Sequence, residues 1–158
     1  MLKVCKFGGS SLADANQVRK VCDIVLADAG RRVVVVSAPG KRDKGDTKVT
    51  DLLIACAHKA LSGAPCDAEL QAVIDRYAGI QRALGLPPAV TEAIAEDLRR
   101  RTAAPRDHAG MFLDAVKAAG EDNSARLVAA ALRARGADAA YVDPRAAGMR
   151  LTDEFGNA

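Results

Sequence analysis

A lysine followed by two glycines and two serines is the first group of residues that could do chemistry in this sequence. The motif is Lys6-Phe7-Gly8-Gly9-Ser10-Ser11, and it follows a short β-compatible run. Glycines let backbone N–H groups approach an anion closely, and the start of a following helix adds to such a phosphate cradle. The lysine adds a compact charge that can follow a transferring phosphoryl group. The lysine precedes the glycines, unlike in a Walker A loop, and the motif alone fits a glycine-rich turn beside a surface lysine equally well.

Two hydroxyl residues follow at positions that could also face a ligand. Ser37 comes directly after a valine run, in Ser37-Ala38-Pro39-Gly40, and could contact a phosphate or a substrate. An ordinary turn is the commoner interpretation of that segment. Thr50 lies where a helix is predicted to begin, and its hydroxyl could contact a ligand. Capping the helix is the commoner use of such a threonine.

Glu121 is the carboxylate that could complete such a site. It follows Gly120, which we interpret as the C-terminal cap of a preceding helical region. Glu121 is then predicted to lie in the first turn of a new helix, where the helix dipole favours a negative charge. It could equally point at the ammonium group of a substrate, and the two interpretations are compatible.

The elements that must position these residues alternate between strands and helices. Residues 2–7 predict a strand, residues 13–28 an amphipathic helix, and residues 33–36 a strand buried on both faces, because Val33 to Val36 form a β-branched run. Residues 41–48 are dense in charge and glycine and predict a mobile loop.

The second half of the sequence is mainly helical. Helical patterns cover residues 67–119, with breaks at 85–88 and around 104–105, and a further helix is predicted over residues 121–135. Residues 137–142 predict a third strand. The order predicts an α/β fold, with a parallel sheet, right-handed crossovers and helices on both faces.

Composition and charge exclude several classes of protein. The formal net charge of +3 is too small to require nucleic acid or a membrane surface as a partner. We interpret Arg99-Arg100-Arg101 with Arg106 as a solvated helix face. The four cysteines form no C-x-x-C pair, which argues against a zinc site or a disulfide scaffold and favours a reducing cytoplasm. No signal peptide is visible, and no apolar run is long enough to cross a bilayer.

The order of the motifs resembles that of the aspartate kinases, within the amino acid kinase family. The resemblance rests on the Lys6 motif, Val35 to Lys41, Lys48 to Leu53, Gly120-Glu121, and Gly136 to Asp143. It implies a parallel-sheet αβα sandwich with a helical block between the second and third strands. It also implies transfer of the γ-phosphoryl group of ATP to the side-chain carboxylate of L-aspartate. That reaction gives 4-phospho-L-aspartate and opens the route to lysine, threonine and methionine.

The resemblance assigns a role to each candidate residue. Lys6 corresponds to the catalytic lysine that contacts the ATP phosphates, and Gly8, Gly9 and Ser10 correspond to the phosphate-facing loop. The residues expected to hold the substrate are Ser37, Thr50 and Glu121, with Glu121 near its amino group. ATP and Mg²⁺ are the expected cofactors of the complete enzyme, L-aspartate is its partner, and a cytoplasmic homo-oligomer is implied.

The resemblance further implies that residues 1–158 are the N-terminal part of a catalytic domain. In the family the chain continues into a second half with the catalytic aspartate and the adenine pocket, followed by ACT-type regulatory domains. We therefore expect this chain to be inactive as a kinase by itself. The alternatives are another amino acid kinase, for acetylglutamate, glutamate or carbamate, and a non-catalytic short relative that acts as a binding partner.

Overall fold

Two strands form a small parallel sheet at one end of the chain. In the computed structural model, which describes residues 1–150, 152 and 154–156, β1 (Lys3–Phe7) pairs with β2 (Arg31–Val36). A short 3₁₀ turn (Gly9–Leu12) and α1 (Ala15–Leu26) connect them. Phe7 lies opposite Val36, so the carboxyl ends of both strands meet at the same edge of the sheet.

The sheet is covered on one face only within the described residues. Phe7, Val34 and Val36 join the apolar core, as predicted for an inward face. Val4, Val33 and Val35 point the other way and are 42–66% exposed. The prediction that Val33 to Val36 are buried on both faces is therefore wrong for this structure, because no described element covers the opposite face.

Four further helices build the rest of the fold. They are α2 (Val49–Leu61), α3 (Asp67–Leu84), α4 (Ala89–Thr102) and α5 (Ala109–Ala134). The predicted breaks near Gly85 and Pro105 are confirmed, and Gly85 ends α3 in the left-handed conformation that suits glycine. Five α-helices with a parallel sheet confirm an α/β fold.

The predicted helix boundary at Gly120 is wrong. Helix α5 continues through this residue, and Gly120 is buried. A Cβ atom on Gly120 would lie 2.7 Å from the Ala38 Cβ atom and 3.2 Å from Leu53 Cδ1. The glycine thus permits close packing of α5 against α2 and the turn after β2, which a sequence pattern cannot distinguish from a helix end.

The predicted third strand over residues 137–142 is also wrong. This segment has no strand conformation and is held near α5 by side chains. The Arg133 guanidinium donates to the Ala139 carbonyl at 2.9 Å, and the Arg126 guanidinium lies 4.1 Å from the centre of the Tyr141 ring. A strand needs the backbone of a neighbouring strand to pair with, and this segment finds side chains of α5 instead.

The arginine cluster on α4 is only partly a solvated face. Arg99 and Arg100 are exposed, but Arg101 donates to Asp97 at 2.9 Å and also pairs with Asp122 of α5. Burial would raise the pKa of Asp97, but hydrogen bonds from Arg100 and Asn123 and the charge of Arg101 outweigh it and lower the pKa. Arg101 therefore joins α4 to α5, contrary to the prediction.

Candidate functional site

Two loops meet where β1 and β2 end. The first contains Gly8, Gly9 and Ser10, and the second runs from Ser37 to Gly40. Backbone hydrogen bonds join them, since the Ser37 N–H donates to the Phe7 carbonyl at 3.0 Å and the Gly40 N–H donates to the Gly9 carbonyl at 2.8 Å. The parallel register therefore brings together two motifs that lie about thirty residues apart in the sequence, as predicted.

Gly9 and Gly40 lie where the backbones of the two loops come too close for a side chain. A Cβ atom on Gly9 would lie 2.9 Å from the Ala38 carbonyl oxygen. A Cβ atom on Gly40 would lie 2.7 Å from the Gly9 carbonyl carbon. Because a larger residue at either position would separate the loops, these glycines fix the shape of the strand-end edge.

Lys6 contributes the positive charge at this edge. Its side chain is exposed, and its Nζ atom lies 3.7 Å from the position of a Cβ atom on Gly8. Within the described residues, Lys6 makes no ion pair. The ammonium group lies next to the residue that precedes the 3₁₀ turn, which begins at Gly9.

Glu121 approaches the same edge from α5. Its Oε1 atom accepts a hydrogen bond from the Ala38 N–H at 3.3 Å, and its side chain is exposed. Because α5 begins at Ala109, Glu121 lies in the middle of the helix and not in its first turn, so the helix-dipole interpretation does not apply. The Tyr77 hydroxyl donates to the Gly120 carbonyl at 2.7 Å and holds this part of α5 in place.

Thr50 lies in the first turn of α2 but does not cap the helix. The N-cap residue is Lys48, which makes no side-chain cap, so the capping interpretation of Thr50 is wrong. The Val49 N–H donates to the Pro39 carbonyl at 3.1 Å, which ties the start of α2 to the loop after β2. Ser37 and Thr50 are both half-buried, at the two ends of the segment that joins β2 to α2.

The sequence predicts a mobile loop over residues 41–48, but an ion-pair network holds it. Arg76 of α3 donates from Nη2 to Asp46 at 2.6 Å and from Nη1 to the Gly40 carbonyl at 2.9 Å. Arg42 donates to Asp46 at 2.9 Å. The hydrogen bonds from Arg42, together with the charge of Arg76, hold the pKa of Asp46 below its ordinary value.

Arg76, Asp46 and Tyr77 are supporting residues that the sequence analysis missed. A signal was present, because Arg76 lies within the buried stripe of α3 formed by Val73, Tyr77 and Ile80. A charged residue on an apolar helix stripe requires a buried partner. The identity of that partner could not be read from the sequence, since Asp46 lies thirty positions away in a charge-rich loop.

The strand-end edge is open to solvent and is separate from two cavities elsewhere on the protein. A cavity of about 390 Å³ lies between α1, α3 and the 41–48 loop, and another of about 320 Å³ lies near Cys22 and Arg135. In contrast, Lys6, Ser10 and Glu121 are exposed. The described residues thus form one wall of a site.

The cysteines and the acidic residues do not form a metal or disulfide centre in the part of the chain that the structure describes. All four cysteines are free, and the described residues contain no group of three or more His, Cys, Asp or Glu side chains that could hold a metal ion. Among the helices that the structure describes, none combines the length and apolarity needed to span a membrane.

Comparison with known proteins assigns the chain to a family. The model of the amino acid kinase family matches residues 1–157, and the chain is a member of that family. Its relatives include aspartokinase 3 of Bacillus subtilis, 49% identical over 99% of this chain and 35% of that protein. Lysine-sensitive aspartokinase 3 of Escherichia coli is 33% identical over 98% of this chain and 33% of that protein. The chain therefore spans about a third of the length of these relatives.

Solved structures agree with this assignment. Clostridium acetobutylicum aspartate kinase superposes with a TM-score of 0.72 and 34% identity, over 82% of this chain and 29% of that one. E. coli aspartokinase III in complex with aspartate and ADP superposes with a TM-score of 0.69 and 30% identity, over 87% and 30% of the two chains. The resemblance to aspartate kinases drawn from the ordered motifs is confirmed.

Proposed function

We propose that this chain is the N-terminal part of the catalytic domain of an aspartate kinase. The complete enzyme would transfer the γ-phosphoryl group of ATP to the side-chain carboxylate of L-aspartate, the first step toward lysine, threonine and methionine. The observation that carries the proposal is the meeting of the Lys6 loop, the Ser37 loop and Glu121 at one edge of the sheet. The 49% identity to Bacillus aspartokinase 3 supports aspartate as the substrate.

Lys6 and the glycine loop form the phosphate side of the proposed site. Phosphoryl transfer depends on positioning and charge neutralisation more than on covalent chemistry. Here an anionic donor must meet an anionic acceptor, so a positive charge between them lowers the barrier. Lys6 suits this role because its exposed ammonium group makes no ion pair within the described residues and lies beside Gly8.

Ser37, Thr50 and Glu121 form the aspartate side of the proposed site. The Glu121 carboxylate is oriented by the Ala38 N–H and is exposed, so it can accept hydrogen bonds from the ammonium group of an amino acid. Ser37 and Thr50 offer hydroxyl groups from the two ends of the adjoining segment. Aspartate and ADP are both bound in the related E. coli structure, which supports this division of the site.

ATP and Mg²⁺ are the proposed cofactors of the complete enzyme. Mg²⁺ in such enzymes is held by substrate phosphates and one or two carboxylates, and it neutralises charge on the phosphates. The described residues contain no group of three or more His, Cys, Asp or Glu side chains that could hold a metal ion, and we assign Mg²⁺ no ligand in this chain. A cytoplasmic, homo-oligomeric complete enzyme is proposed on the resemblance alone.

We expect the 158-residue chain to be inactive by itself. Its described residues provide one wall of the site, and the matched relatives are about three times longer. A coupled assay with ATP, aspartate and Mg²⁺ tests this expectation. ADP release that depends on Lys6 would contradict it.

A chimera tests the proposed substrate. Residues 1–157 of this chain would replace the matching N-terminal part of Bacillus aspartokinase 3. We expect turnover with aspartate and little with N-acetylglutamate, glutamate or carbamate. The rest of the chimera comes from an aspartokinase and could by itself favour aspartate. The variants Thr50→Val and Glu121→Gln therefore test whether residues of this chain contribute to aspartate turnover. Aspartate turnover that neither variant changes would contradict the proposed site.

A further inference from the structure

Arg76 is a buried arginine whose side-chain hydrogen bonds, among the described residues, all go to residues 40–47. Its side chain is 6% exposed and that of Asp46 is 9% exposed. The guanidinium donates to the Gly40 carbonyl, to both Asp46 carboxylate oxygens and, at 3.2 Å, to the Thr47 carbonyl. The planar guanidinium of Arg76 on α3 therefore contacts the loop at both of its ends, at Gly40 and at Thr47.

The contacted loop joins two of the proposed substrate residues. Gly40 lies three positions after Ser37, and Thr47 lies three positions before Thr50. The hydrogen bond from the Val49 N–H to the Pro39 carbonyl closes the same segment. Arg76 therefore contacts the stretch of chain that lies between the two hydroxyl residues.

The neighbouring residue on α3 supports the other side of the site. Tyr77 is fully buried, and its hydroxyl donates to the carbonyl of Gly120, the residue before Glu121. Consecutive residues of one helix therefore contact the loop that precedes Thr50 and the helix that carries Glu121. Such a common support keeps hydrogen-bonding groups at a constant separation.

Arg42 does not provide the same anchor. It pairs with Asp46 within the loop, four residues away, and its side chain is 53% exposed. This pair closes the loop on itself, whereas the pair with Arg76 connects the loop to the body of the protein.

We propose that Arg76, with Asp46 as its counter-ion, is a positioning residue that sets the affinity of the site for the aspartate acceptor. It acts through the loop and does not contact the reacting atoms. The inference rests on the proposed function. A merely structural Arg76 would affect the whole fold, whereas a positioning Arg76 affects the loop and the aspartate contacts selectively.

Amide hydrogen exchange in the 158-residue chain tests the loop directly. In Arg76→Met, we expect the Val49 amide to lose protection by about tenfold or more relative to the amides of α5. Arg76→Lys should give an intermediate loss, because an ammonium group can meet Asp46 but lacks the planar guanidinium. Leu98→Ala is the control, since it removes buried side-chain volume in α4 and should not affect Val49 selectively. Equal changes at Val49 and in α5 would overturn the inference.

Kinetics in the chimera with Bacillus aspartokinase 3 test the consequence for aspartate. Arg76→Met and Asp46→Asn should raise KM for aspartate by about tenfold, because small misplacements of binding groups are costly. KM for ATP should change by less than about twofold, and Leu98→Ala should leave both values unchanged. If Arg76→Met and Asp46→Asn change both KM values equally, or change neither, in an active chimera, the inference about Arg76 is overturned and the proposed function is not affected. An unmodified chimera without aspartate-dependent turnover would overturn the proposed function, and with it the role for aspartate.

Discussion

Glu121 lies at the strand-end edge, but in a different structural setting from the one that the sequence predicts. The sequence predicts it at a helix start, whereas it lies in the middle of α5 and reaches the strand-end edge through the Ala38 N–H. Its chemistry is unaffected by this difference, because an exposed carboxylate beside a backbone donor remains suited to an ammonium ligand.

Replacing Glu121 with Gln should weaken aspartate binding. Loss of a charged hydrogen bond of about 1.5–3 kcal/mol corresponds to a rise in KM for aspartate of roughly ten- to a hundredfold in the chimera. Stability should change little, because the side chain is exposed. Glu96→Gln, at an exposed position on α4, is the matched control. An unchanged KM for aspartate would remove Glu121 from the proposed site.

The location of a candidate residue could be predicted where a motif coincides with the end of a strand. Lys6, Gly8, Gly9, Ser10 and Ser37 lie at the predicted edge, because parallel strands bring their carboxyl ends together. Arg76 and Asp46 escaped prediction because their contact depends on how α3 packs against the 41–48 loop, which local patterns do not encode.

At the scale of elements, the 41–48 loop should contribute a pH-dependent part of the stability. The pKa of Asp46 is lowered in the folded protein, so the unfolded chain binds a proton more readily in acid. The stabilisation is therefore present above the ordinary aspartate pKa, about 3.9, and is lost as the pH falls below it.

Asp46→Asn should show this effect in urea unfolding between about pH 3 and pH 7. The free energy of unfolding should be lower than that of the unmodified chain at pH 7, and the difference should shrink toward the acid end. Asp43→Asn, at an exposed position in the same loop, should leave the acid dependence unchanged. A difference that stays constant across this range would show that Asp46 is not stabilised as a carboxylate.

Helix α5 gives a second prediction at this scale. Gly120→Ala should destabilise the fold by about 1–3 kcal/mol, because the new methyl group overlaps Ala38 and Leu53. Gly79→Ala is the matched control, since a Cβ atom at this exposed helical glycine of α3 meets nothing within 4 Å. The control should be stabilised by up to about 1 kcal/mol through helix propensity. Chemical denaturation distinguishes the two, and a stabilised Gly120→Ala would contradict the packing argument.

Gly120 also shows why element boundaries were harder to predict than elements. A glycine in a helical pattern can mark a helix end or a close contact, and for Gly120 the packing partner decides which. The existence of the helices on either side was predicted from their apolar periodicity, whereas the continuity of α5 through Gly120 depends on Ala38 and α2.

At the scale of the whole molecule, the exposed sheet face is the feature most at odds with the sequence. Val33 and Val35 belong to a valine run that is typical of a strand covered on both faces. The described residues cover only one face of the sheet. Likewise, residues 137–142 have a strand-like sequence without a strand partner. Both sequence patterns suit a larger sheet than the one that the structure describes, which agrees with the share of the relatives that the chain spans.

The exposed valines should promote self-association of the isolated chain. Replacing Val33 and Val35 together with Thr keeps β-branched residues and removes apolar surface, so sedimentation velocity should show less association at little cost in stability. Val34→Thr is the matched control, because Val34 packs against the core and its replacement should destabilise the fold by about 1–3 kcal/mol. Unchanged association of the double variant would show that this face does not mediate it.

The most direct test of the account is aspartate-dependent ADP release by the chimera with and without Lys6. The account predicts that Lys6→Met lowers kcat by about a hundredfold or more, as expected for loss of a charge that stabilises the transition state. Lys20→Met, at an exposed lysine of α1, should retain the full rate. A Lys6→Met chimera that turns over aspartate as fast as the unmodified chimera would contradict the assignment of this strand-end edge as the phosphate side of an aspartate kinase.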